Sequence, residues 1–153
     1  MNRSVLGLLA AALFTGPCDE PSGLTNGLVV GTWGGDNAGL IADDSSAHIH
    51  IACTFGDIAQ GIEPGTGGQF DVPGSYMLHA FPVAVGPSMP ARFYGTVIGK
   101  NLTLNVTVQD TIADTTVTLG PVRLFLGREP EMGPCPICRT PGERMASRLL
   151  TGS

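Results

Sequence analysis

The chain has 153 residues, enough for one domain with a core of its own, and carries a net charge of −5 with only 14% charged residues. That balance argues against a nucleic-acid partner, which needs a basic patch, and against attraction to an anionic membrane surface. Abundant glycine (22) and proline (12), with Lys100 the sole lysine, suit strands and turns and suit helical bundles poorly.

Residues 1–17 read as an export signal. Arg3 supplies a positive start, the apolar run VLGLLAAALF follows, and Thr15-Gly16-Pro17 breaks it. The run is too short to span a bilayer as a helix. Cys18 comes next, and the stretch LFTGPC resembles the lipobox of bacterial lipoproteins. In that family the cysteine becomes the new N-terminus and carries lipid. Pro17 stands where the pattern wants a small residue, so two destinations stay open: an envelope lipoprotein anchored through Cys18, or a secreted or periplasmic protein. Residues 18–27 read as a short tether.

The domain is expected over 28–128. Residues 28–33 open it, the glycine pair Gly34-Gly35 is read as part of a turn, and 39–42 continue beyond it. Residues 47–55 (AHIHIACTF) alternate, with Ile49, Ile51 and Cys53 on one face. Two runs, 69–72 and 75–81, flank Pro73-Gly74. Residues 91–98 and 101–109 form a hairpin around Gly99-Lys100. In its second strand Leu102, Leu104, Val106 and Val108 alternate with polar residues, the mark of a half-buried strand. Residues 115–119 and 122–126 read as one strand with a bulge at Gly120-Pro121, because proline cannot sit in a central ladder. Turn signals roughly every 8–12 residues predict an all-β domain: an antiparallel up-and-down barrel or sandwich of about eight strands. Residues 129–153 form a cysteine-containing tail. Thr140-Pro141-Gly142-Glu143 fits a capping box, which leaves a short C-terminal helix and a disordered tail both open.

Gly31-Thr32-Trp33 in the first strand resembles the Gly-x-Trp signature of the calycins, the lipocalin and avidin-like barrels. The GTWGGD opening resembles small exported bacterial proteins of the same kind. The resemblance implies a closed barrel in which an arginine of the last strand packs over the tryptophan. Arg123 is the residue placed for that role, with Arg128 second, and a guanidinium over an indole is a favourable cation–π pair.

Four cysteines, Cys18, Cys53, Cys135 and Cys138, suit an oxidising compartment. A bridge from Cys53 to Cys135 or Cys138 is expected, clamping the chain end after the last strand. Cys135-Pro136-Ile137-Cys138 is a C-x-x-C, but no βαβ setting precedes it for redox chemistry and no second ligand pair follows it for zinc. His48 and His50, at i and i+2, share one strand face, with His79, Asp43, Asp44 and Asp57 as neighbours in sequence. No motif fixes a third ligand, so neither a metal site nor a cofactor is expected. No nucleophile elbow or phosphate loop is found, and the chain is read as a non-enzyme, with a metal-dependent enzyme using His48 and His50 as the last-ranked alternative. The expected partner is a small apolar ligand held in the barrel interior, if the inward side chains leave room for one. The alternative is an envelope-tethered interaction domain that uses the apolar segment 81–90, and a membrane is met only through lipid on Cys18.

Overall fold

The computed structural model describes residues 23–78 and 86–135. The signal segment, Cys18, His79, residues 81–85 of the apolar segment 81–90, Cys138 and the tail where a helix is one of two expectations lie outside them. Among the described residues ten strands run in chain order: β1 Leu24–Thr25, β2 Leu28–Val29, β3 Gly31–Gly35, β4 Ala38–Ala42, β5 Ala47–Ile51, β6 Thr54–Ile58, β7 Gln69–Met77, β8 Met89–Ile98, β9 Asn101–Asp110 and β10 Thr115–Leu126. Strands β3 to β10 close into one antiparallel barrel, each pairing with its neighbour in sequence and β10 returning to β3. Closure leaves the barrel sheet itself without a free edge. β1 and β2 form a small hairpin of their own, and Val29 of β2 also bridges to Ile62, its N–H donating to Ile62 O at 2.9 Å.

The expected β8–β9 hairpin is present, paired from Ile98↔Asn101 to Ala91↔Val108. Alternation along each strand sends apolar residues inward. Leu102, Leu104, Val106 and Val108 are buried, while Arg92 and Tyr94 of the adjacent strand are exposed. The lumen is filled by side chains. Trp33, Tyr76, Phe93, Leu40, Ile49, Leu104 and Leu124 are all fully buried. Gly56 and Gly74 lie beneath the Phe93 ring, so that a Cβ at either position would come within 2.9 and 2.7 Å of it. The apolar lumen and polar outer wall invert the pattern of a lipid-spanning barrel.

Several local readings change. Gly34 and Gly35 are strand residues, paired with Gly39 and Ala38; the β3–β4 turn is Asp36-Asn37. Residues 47–55 are two strands, not one. The chain reverses at Ala52-Cys53, with Ala52 at φ 52°, so Cys53 sits in a turn rather than on an apolar strand face. β7 runs unbroken through Pro73-Gly74; its ladder with β6 ends at Asp57↔Ser75, two residues short of the proline. Residues 23–27, at the end of the stretch read as tether, lie outside the barrel sheet but begin against it. Gly23 donates to Gly99 O at 3.1 Å and lies against the Trp33 indole.

β10 bulges between Leu119 and Val122 as expected. That extra residue shifts the alternation by one. Val117 and Leu119 face inward before it, and Val122 and Leu124 after it. Arg123 therefore stands on the exposed outer face, while Trp33 is inside with its indole N–H donating to Val30 O at 3.1 Å. The two are not brought together. The second-choice arginine, Arg128, stacks on Phe125 instead, 5.7 Å from its centroid.

Candidate functional site

The outer faces of β4, β5 and β6 carry two transverse rows set by register. One row is Gly39, His50 and Phe55; the other is Ile41, His48 and Asp57. The two-residue turn at Ala52-Cys53 fixes this register and places Asp57 directly opposite His48. His48 Nδ1 lies 2.6 Å from Asp57 Oδ1, and His48 Nε2 lies 2.9 Å from His50 Nε2. A carboxylate can only accept, so His48 Nδ1–H donates to Asp57, and with His48 neutral its Nε2 lone pair accepts from His50 Nε2–H. The Phe55 ring sits 5.6 and 5.7 Å from the two imidazoles. Burial lowers the His50 pKa from its ordinary value, the neighbouring His48 lowers it further, and Asp57 partly offsets both.

A strap formed by residues 127–135 crosses the outside of this wall. Gly127 N–H donates to Thr32 O at 2.7 Å, Glu131 N–H to Gly35 O at 3.1 Å, and Asn37 N–H to Glu131 O at 2.8 Å. Arg128 ties Asp36 at 3.0 Å and Glu131 at 2.6 Å. Gly133 N–H reaches Asn37 Oδ1 at 3.1 Å. The strap approaches so closely because Gly34 and Gly39, directly opposed, carry no side chain. A Cβ on Gly34 would collide with the Arg128–Glu129 backbone, and one on Gly39 would lie 2.5 Å from Pro130 Cγ. The strap ends at Cys135, bonded to Cys53 with the Cα atoms 5.4 Å apart. The expected clamp is therefore made through Cys135.

Between strap and wall lies a groove of about 250 Å³, lined by Gly39, Leu40, Ile41, His48, His50, Ala52, Pro130, Met132 and Cys135. Its walls are apolar except for the imidazole pair. A wider, open depression of about 640 Å³ lies over β7–β9, among Asp71, Pro73, Arg92, Tyr94, Thr107 and Gln109. There Arg92 Nε and Nη2 both hold one oxygen of Asp71, at 2.9 and 2.8 Å, so the main charges are already satisfied. The groove is the better-formed candidate, because apolar walls converge on a few polar groups.

Asp57–His48–His50 is an aligned relay, but it is not a nucleophilic triad. The place of a hydroxyl or thiol against His48 Nε2 is taken by His50. No group of three or more His, Cys, Asp or Glu side chains among the described residues is placed to hold a metal ion. Sequence alternation located the two histidines. The strap and the groove carried no sequence signal beyond Cys135.

No protein-family model matches the chain, and neither a curated protein nor a solved structure matches it significantly. The closed eight-strand antiparallel barrel is consistent with a calycin-like architecture.

Proposed function

We propose that this is an exported binding barrel that takes a small, largely apolar ligand in the groove between its strap and β4–β5. One observation carries the reading: a cavity of about 250 Å³ with apolar walls and one imidazole pair to orient a polar atom. The lumen is packed with Trp33, Tyr76 and Phe93, so the ligand belongs on the outer wall, not inside the barrel. Its size suits a compact ligand, since drug-sized pockets begin at about 300 Å³. Export is supported by the signal-like residues 1–17 and by the Cys53–Cys135 bridge, which suits an oxidising compartment. Cys18 then either carries a lipid anchor or remains the first cysteine of a secreted chain.

Native mass spectrometry of the protein purified from its own host tests this directly. The expected spectrum shows a small-molecule mass that is lost on denaturation and lost in a His50→Leu or Gly39→Val variant. A bare polypeptide that also fails to bind an apolar fluorescent probe would overturn the reading. The same spectrum reads signal cleavage and lipid on Cys18.

The interaction-domain alternative is expected at segment 81–90; the described surface that favours it is instead the groove mouth, where Ile41 is 60% and Met132 43% exposed. A partner's apolar side chain could enter there, and it would compete with the same probe.

A further inference from the structure

We infer that His48 Nε2 and His50 Nε2 form a two-nitrogen site for a divalent copper ion. The inference goes beyond the ligand-groove reading and does not need it, because both nitrogens are in place whatever else occupies the groove. Strand alternation puts His48 and His50 on one face, and the two Nε2 atoms converge to 2.9 Å. With metal–nitrogen bonds of about 2.0 Å, that separation subtends about 90° at an ion placed between them. An angle of about 90° suits the tetragonal geometry of Cu²⁺, whereas tetrahedral zinc would need the nitrogens roughly 0.4 Å further apart. Linear two-coordinate Cu⁺ is excluded by the same distance.

The surroundings agree. Asp57 already holds His48 Nδ1 at 2.6 Å, the carboxylate–histidine arrangement that fixes ring and tautomer in metal sites. In the free protein the pair shares one proton between the Nε2 atoms. Metal binding moves the His50 proton from Nε2 to Nδ1 and leaves both Nε2 lone pairs to the ion, with no net charge change on the protein. Met132 lines the same groove and is the candidate for a weak axial thioether ligand. Water completes the coordination, since the described residues offer no third strong ligand.

The test uses the full chain carrying Cys18→Ser and Cys138→Ser, so that free thiols neither bind nor reduce the ion. It is titrated with Cu²⁺ and Zn²⁺ by calorimetry, and the copper form is read by electron paramagnetic resonance. One Cu²⁺ per chain is expected, with nitrogen hyperfine structure from two imidazoles and binding at least 100-fold tighter than zinc, in line with the Irving–Williams order. His48→Gln and His50→Gln should each weaken copper at least tenfold, and Asp57→Asn by about 10- to 100-fold. Copper binding that survives His50→Gln unchanged, or a spectrum without two equivalent nitrogens, would overturn the site. The same samples are titrated with anilinonaphthalene sulfonate. Copper without dye removes the apolar-ligand reading and leaves this site standing; dye without copper does the reverse.

Discussion

Gly39 and Pro130 meet through the missing side chain of the glycine. A Cβ at position 39 would lie 2.5 Å from Pro130 Cγ. Because valine suits a strand, Gly39→Val leaves the β4 ladder intact and places its whole penalty on the strap. Overpacking of this kind destabilises by about 1–3 kcal/mol. Dye binding in the groove should fall at least tenfold while the near-ultraviolet signal of Trp33 persists. A Gly39→Val protein with unchanged melting temperature and unchanged dye affinity would show that the strap does not form the groove.

The bridge from Cys53 to Cys135 spans 82 residues. In the loop-entropy model, removing such a link costs about 4–5 kcal/mol. Urea unfolding of the Cys53→Ser/Cys135→Ser protein should show a lowered midpoint and a slope m raised by the less compact unfolded chain. The barrel closes through β10 pairing with β3 and β9, so the double variant still folds at neutral pH. A loss below about 1 kcal/mol would mean that the strap frays without its clamp and that the bridge barely constrains the unfolded chain.

Tyr76 predicts an alkaline limit. Its phenol is buried and donates to Thr54 Oγ1 at 2.7 Å, while Thr54 donates to Ile51 O at 2.7 Å. Burial pushes the Tyr76 pKa up from 10.0 to about 12, against smaller opposing effects of the Thr54 and Ile51 hydrogen bonds. The folded state therefore holds a proton that the unfolded chain releases. Stability from this group is complete below pH 10.0 and declines as pH rises from there toward about 12. Chemical denaturation across that window should show the decline, and Tyr76→Phe should flatten Tyr76's share of it while costing about 1 kcal/mol at neutral pH. A wild-type slope matched by the phenylalanine variant would refute the assignment.

Much of the barrel was legible because each strand keeps one apolar face. The alternation of Leu102, Leu104, Val106 and Val108 and the Gly99-Lys100 turn define β8–β9 without any tertiary knowledge. What escaped has physical reasons. Ala52 adopts a left-handed turn that sequence assigns to glycine or asparagine, which hid the β5–β6 reversal and with it the Asp57–His48 pairing. Arg123 follows a bulge whose position was read but whose effect on facing was not. One extra residue at Gly120-Pro121 sends the arginine out and Leu124 in. Part of the strap's hold comes from backbone hydrogen bonds to β3 and the Asp36-Asn37 turn, which no side-chain pattern encodes.

Phe93 decides between lumen and wall as the place of binding. Its ring fills the barrel between Gly56 and Gly74 and lies 6.1 Å from the Tyr76 centroid. Phe93→Ala should cost about 3–5 kcal/mol, because glycines on two sides cannot close the space left behind. If binding belongs to the outer groove, the wild-type protein binds the apolar dye with an affinity that Phe93→Ala leaves unchanged at a temperature where both are folded. The variant should also gain a second, internal site for a ligand the size of benzene, as apolar cavities do. Benzene-induced shifts of methyl resonances from Leu104 and Ile49 in the variant, and their absence in the wild type, would locate that new site. Shifts already present in the wild type would place a ligand cavity inside the barrel and remove the case for the groove.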